Sequence, residues 1–207
     1  MDNGKILLVN LSKGKLGDLN AKLIGMVMVA KIQMAAMSRV DIPEKQRKDF
    51  YLYVDEFQNF VTDSFSSILS EARKYRLNLI IAHQYISQIT KMEGGGKGMR
   101  EDTTIRDAVF GNVGSMLAFK IGAADGETMA KEFAPVFTDQ DLINIANYHA
   151  YIKLNIKNTT SRPFTIKTIY DPSGADEEAA KAYMQLSRLK YARDKKFVDK
   201  EIERRLI

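Results

Sequence analysis

A chain of 207 residues, 45% apolar and 28% charged, is long enough to bury one sizeable core with an appended element. It lacks cysteine, which excludes disulfides and thiolate metal sites, and its two histidines, His83 and His149, cannot complete a zinc shell by themselves. An excess of 31 basic over 26 acidic residues permits attraction to polyanions without requiring it.

The run Ile6-Leu7-Leu8-Val9-Asn10-Leu11 is short and continuously apolar, which predicts a parallel strand covered on both faces. After the turn region at Gly14 and Gly17, residues 20–39 carry Leu23, Ile24, Val27, Met28, Ile32 and Met37 among alanines, a pattern that predicts a long, largely buried helix. A second strand, Phe50 to Val54, ends abruptly in Asp55-Glu56. A helix is expected from Ser64 to Tyr75, with Asp63 as its N-cap. A third strand, Leu77 to Ala82, ends in His83-Gln84, and Tyr85 to Ile89 opens a further helical turn. Residues 90–104, with Gly94, Gly95, Gly96 and Gly98, bury little and are expected to form a mobile loop.

Beyond that loop, Met116 to Ile121 reads as a strand, Gly126 to Phe133 as a helix, and Thr138-x-x-Asp141 as a near capping box opening another helix. Residues 151–156 and 164–170 alternate like a terminal hairpin. Asp171-Pro172-Ser173-Gly174 marks a boundary, so the domains are expected at 1–170 and 171–207, the second a charged helical extension. Three strands separated by helices indicate a parallel α/β sheet. No apolar stretch is expected to reach the roughly 18 to 20 residues that span a bilayer, and Met1 to Lys5 leads into no signal-type block. The expectation is a soluble chain without a membrane segment, in the cytoplasm.

In an open α/β sheet, ligands sit beyond the carboxyl ends of the strands, which singles out Asp55, Glu56 and Gln84. An apolar run closed by Asp-Glu has the form in which the Asp orients Mg2+ through water and the Glu polarises an attacking water; it is also what a solvated turn would look like. Gln84, at the next strand tip, has an amide able to hold a lytic water or sense a terminal phosphate, or simply to cap a loop. Arg73, with Lys74 and Arg76, ends the helix after the acidic pair, where it could clamp a neighbouring subunit's γ-phosphate or pair with the helix dipole.

Three segments stand in order at short spacing: 51–60 (YLYVDEFQNF), 70–75 (SEARKY) and 82–85 (AHQY). Together with 8–14 (LVNLSKG) and 106–114 (RDAVFGNVG), they resemble the coupling-protein ATPases of conjugation and type IV secretion, TraG/TraD-like members of the HerA and FtsK superfamily. The resemblance covers about residues 5–170 and corresponds to the carboxyl-terminal half of such a motor. It implies a RecA-like P-loop NTPase core with a three-layer, mostly parallel sheet, incomplete in this chain. It implies ATP and Mg2+ as cofactors, with Asp55 on the metal, Glu56 as base, Gln84 as sensor and Arg73 as a finger acting across a hexameric ring. Arg106 and Lys120 are lesser candidates, and Lys120 stands where the family would have arginine.

One element of that pattern is missing. The phosphate loop G-x-x-x-x-G-K-[ST] does not occur, because the Gly-Lys pairs at 4–5, 14–15 and 96–97 are followed by Ile6, Leu16 and Gly98. The chain is therefore expected to be inactive alone and to complete its site with the missing N-terminal half or within a ring. Lys91, Lys97 and Arg100 flank the glycines, where they could track DNA phosphates in a pore or belong to a solvated insertion. The expected partners are DNA, further copies of the chain, and type IV secretion or relaxosome proteins, which could hold it at the inner face of the cell membrane. Two other readings compete: a non-catalytic module that docks a relaxosome or secretion component, and a secretion-ring ATPase that powers pilus or protein export.

Overall fold

The computed structural model describes residues 1–60, 63–93, 100–171, 173–174 and 176–206, with the backbone alone at 63–64, 66–67, 91–93 and 100–101. Two units are distinguished, Met1–Thr168 and Ile169–Ile207.

The first unit opens on an extended segment without a strand ladder, followed by α1 (Lys13–Leu16) and α2 (Asp18–Met37). The expected buried strand at 6–11 is absent: Ile6 and Leu8 are 89% and 88% exposed. A strand exists only where a second backbone answers its N–H and C=O groups, and among the described residues no neighbour lies in register with this segment. The expectation for α2 also needs correcting, since only Ala21, Gly25 and Ala36 are buried along it. Its apolar residues are spread around the whole circumference, so covering one side leaves Leu19, Leu23, Val27 and Met34 exposed. With its 3-10 extension to Asp41, this helix is long and apolar enough to cross a bilayer, contrary to the expectation that no such stretch exists. The core helix of a soluble protein meets the same criterion, and Ala36, Val29 and Ile32 pack against the core here.

The strands β1 (Phe50–Val54) and β2 (Leu77–Ile81) are connected by α3 (Asp63–Glu71) and a 3-10 turn, Ala72–Tyr75. Asp63 is the first helical residue and not the cap before it. The two strands pair in parallel from Phe50↔Leu77 to Val54↔Ile81, as their aromatic and branched residues and the helical crossover require. Val54, Phe57, Phe65, Ile68, Ala72 and Leu77 form the heart of this core with Ile86, Ile89, Ile105 and Val109. The last four come from a 3-10 turn at Ile86–Ile89 and from a helix between residues 104 and 112 that the sequence reading did not anticipate. The stretch expected to be all loop contains an antiparallel pair, β3 (Lys91–Glu93) and β4 (Arg100–Asp102), just before that helix, α4 (Thr104–Asn112).

The remaining elements of this unit are β5 (Met116–Ala118), α5 (Ala123–Phe133), α6 (Asp139–Asn144), β6 (His149–Lys153), β7 (Asn155–Ile156), β8 (Thr159–Thr160) and β9 (Phe164–Lys167). The strands β5, β6 and β9 form an antiparallel sheet in that order, and β7 and β8 form a separate hairpin. The expected pairing of the terminal strands is present, with Tyr151 opposite Thr165. Ala118, Phe133 and Leu142 form a second core, beside which Phe137 stacks on Tyr151 at 3.8 Å. Thr138 and Asp141 make the expected capping box at the start of α6. The architecture is thus mixed α/β, with small sheets in place of one mostly parallel sheet, and parallel pairing among the described residues is confined to β1 and β2.

The second unit contains α7 (Glu177–Tyr191) and α8 (Lys195–Arg205), two helices where one was expected. The break follows from Asp194, whose side chain accepts the Lys196 N–H and caps a new helix.

Candidate functional site

Because β1 and β2 are parallel and Val54 is the register partner of Ile81, the residues that follow them leave adjacent strand tips on the same side. Two further backbone bonds tie the tips together: Ala82 N–H to Val54 O at 2.9 Å, and Phe57 N–H to Ala82 O at 3.1 Å. To return over β2 in so few residues, the chain turns sharply at Glu56, which adopts φ 49°, ψ 44°. A side chain in this left-handed region costs about 1–3 kcal/mol and persists only where its surroundings hold it. Asn59 does so, donating both its N–H and its side-chain amide to Glu56 O at 3.0 Å.

The Glu56 carboxylate is held at both oxygens. Gln84 Nε2 donates to Oε1 at 2.5 Å, and Gln58 Nε2 donates to Oε2 at 2.5 Å. The carboxylate and the amide singled out at the two strand tips are therefore in direct contact. Asp55 is exposed, and its Oδ1 accepts the Glu56 N–H at 2.9 Å. Lys13 reaches the same loop, donating to Asn59 Oδ1 at 3.1 Å while it pairs with Asp18. A groove of about 1120 Å3, lined by residues 4–13, part of α2 and β1, extends to Asp55, Glu56 and Asn59.

Behind the tips lies His83, its ring edge-on to Phe57 at 5.5 Å and its Nδ1 buried. Burial holds its pKa below the ordinary 6.5, against the opposing influences of the Tyr85 backbone, Asp125 and Glu56. Asp125, 8% exposed, accepts the Ile86 N–H through Oδ2 at 3.1 Å.

The other residues singled out lie elsewhere. Arg73, exposed on the turn after α3, donates Nη2 to Asn158 Oδ1 at 3.0 Å, in the turn between β7 and β8. Arg106 lies on α4, where its Nε donates to Asp107 at 3.1 Å, and Lys120 is exposed just past β5. Lys91 and Arg100 are placed by backbone on β3 and β4, while Lys97 and the glycines beside it lie outside the described residues.

Among the described residues, no three His, Asp or Glu side chains gather to hold a metal by themselves. A single exposed carboxylate such as Asp55 suits Mg2+, which keeps most of its water shell and takes one or two protein oxygens plus phosphate. Sequence reasoning missed Gln58, the left-handed turn at Glu56 and the burial of Asp125. Only Gln58 had a visible signal, since it lies in the 51–60 segment, two residues beyond Glu56.

Residues 49–142 match the protein family described as the TraM recognition site of TraD and TraG. The match begins one residue before β1 and ends within α6, so it contains Asp55, Glu56, Arg73, Gln84 and Asp125. Over those residues it supports a TraG/TraD-like coupling-protein carboxyl-terminal region. No curated protein matches the chain.

Proposed function

With residues 49–142 taken as a TraG/TraD-like coupling-protein region, we propose that this chain is part of an ATP-driven motor that moves DNA in conjugation or type IV secretion. The reading rests on one observation above all, the contact of Glu56 with Gln84 across adjacent parallel strand tips. A carboxylate acceptor beside a donor–acceptor amide, beyond the carboxyl ends of two parallel strands, is a pair able to orient a water for attack on a phosphate, which supports the reading. In this reading Glu56 is the general base and Gln84 positions the water. The two glutamine amides hold the carboxylate in a resting pose, and the water takes over the oxygen now bonded by Gln84. Asp55 would hold Mg2+, and the ion would supply neutralisation of phosphate charge. Arg73 serves a neighbouring subunit in a ring, after release from Asn158. The phosphate loop comes from polypeptide outside this chain, and Lys91, Lys97 and Arg100 contribute sequence-independent DNA contacts.

The test is Glu56→Gln in the motor completed by its phosphate loop. Nucleotide binding should persist while turnover falls by about a hundred-fold or more, the usual contribution of a positioned base. Unchanged hydrolysis would refute the assignment.

The description of the matched family favours a second role for the same segment, recognition of a TraM-type relaxosome protein. That role predicts partner binding that survives Glu56→Gln, measurable by calorimetry with the purified partner.

A further inference from the structure

Only two polar or charged side chains among the described residues are buried, Arg39 and Asp125. Arg39 donates through Nη1 to the carbonyls of Lys48 and Tyr75 just ahead of β1 and β2, whereas Asp125 reaches out of α5 to a different part of the fold. Its Oδ2 accepts the N–H of Ile86, two residues past Gln84, and that bond is buried. The contact joins the tip of β2 to the start of a helix that follows directly on β5, and so bridges the parallel and the antiparallel sheets.

An aspartate in the first turn of a helix has a simpler use, favouring the positive end of its own helix dipole. That use needs no burial and works best with the carboxylate in water or on the helix's own N–H groups. Taking a carboxylate out of water costs several kcal/mol unless hydrogen bonds compensate. Asp125 bears this cost where its oxygen meets a donor on another element. The stretch it grips is short: Ala82 is tied to Val54 and Phe57, Ile86 to Asp125, and between them lie only His83, Gln84 and Tyr85. With both ends pinned, the exposed Gln84 has little freedom to drift from Glu56.

We propose that Asp125 is a positioning residue for Gln84, clamping the strand-tip loop at Ile86 so that a displacement of α5 is passed to the Gln84–Glu56 contact. The assignment rests on reading Glu56 and Gln84 as one site, and it extends that reading by naming the element that controls it. The clamped loop also carries His83, whose charged neighbours are Asp125 and Glu56, so the histidine is a built-in reporter.

The test uses the 207-residue chain, in which the His83 imidazole has a single other histidine, His149, to be told apart from by NMR. Asp125→Ala should raise amide exchange at Ile86 by tenfold or more and move the Gln84 side-chain amide resonances toward their positions in Glu56→Ala. Asp125→Asn keeps an acceptor oxygen, so it should restore both to near wild type. Because it removes the charge, it should still lower the His83 titration midpoint. The proposal is overturned if Asp125→Ala leaves the Gln84 amide and Ile86 exchange unmoved, or if Asp125→Asn is unable to restore them. Should the alanine variant not fold, Asp125→Asn alone decides, since an unmoved His83 midpoint would mean that Asp125 does not face this loop. If Glu56→Gln hydrolyses normally in the completed motor while Asp125→Ala still displaces Gln84, the clamp stands and the catalytic reading falls.

Discussion

Arg39 is 1% exposed, and its Nη1 donates to Lys48 O at 3.1 Å and Tyr75 O at 2.9 Å, the carbonyls just ahead of β1 and β2. Its Nη2 lies 2.9 Å from Asp2 but outside hydrogen-bonding geometry, so the carbonyl bonds carry the anchoring. Arg39→Ala orphans both carbonyls and should lower stability by roughly 3 kcal/mol, read as a drop in the urea midpoint. His83 brings a pH dependence of definite sign. Burial depresses its folded pKa below 6.5, so the unfolded chain binds the proton more readily. Stability is therefore complete above about pH 6.5 and declines as pH falls from there through the depressed folded value, below which this group adds no further loss. Denaturation midpoints measured across that window should slope in the wild type and flatten in His83→Asn. Neither residue advertises itself in the sequence, since an arginine and a histidine next to apolar runs look alike whether buried or solvated.

At the scale of elements, α2 shows how local preference and packing divide the outcome. Its alanines, leucines and methionines favour helix and outweigh the β-branched Ile24, Val27, Val29 and Ile32, while glycine in a helix interior costs about 1 kcal/mol relative to alanine. Gly25 nonetheless has a packing reason, because a Cβ there would lie 2.2 Å from the Phe60 ring. Gly25→Ala should therefore destabilise, by about 1–3 kcal/mol, despite its gain in helix propensity. In a Phe60→Leu background the same substitution should approach neutrality, and a double-mutant cycle on unfolding free energy checks this. The capping box at Thr138 was legible because it depends on neighbours in sequence, and β1 and β2 were legible because apolar runs bounded by charge and turn signals have few other solutions. The predicted strand at 6–11 has the same apolar character but no partner in register among the described residues, and pairing cannot be read from one strand alone.

The first unit as a whole leaves both strands of its parallel pair with an unanswered edge among the described residues, since β1 and β2 bond only to each other. Tyr53 on β1 is 72% exposed, and the apolar segment at 6–11 lies across the groove from that strand. Open edges beside apolar surface invite pairing with another chain. The isolated chain should associate as its concentration rises, and Tyr53→Lys, a charge on the free edge, should shift sedimentation toward monomer. If association is unchanged, β1 is not the contact.

By itself the sequence determined that helices and strands alternate, that 50–54 pairs in parallel with 77–81, and that the acidic pair and glutamine follow those strands, because these depend on short-range pattern and on where a strand must stop. Tertiary structure decided the rest. The left-handed turn at Glu56 and the grip of Asp125 on Ile86 arise only when distant segments meet, as does the pairing of Arg73 with Asn158, 85 residues away. Hydrogen bonds and burial belong to pairs of groups, and which pairs come together is settled by how the elements pack.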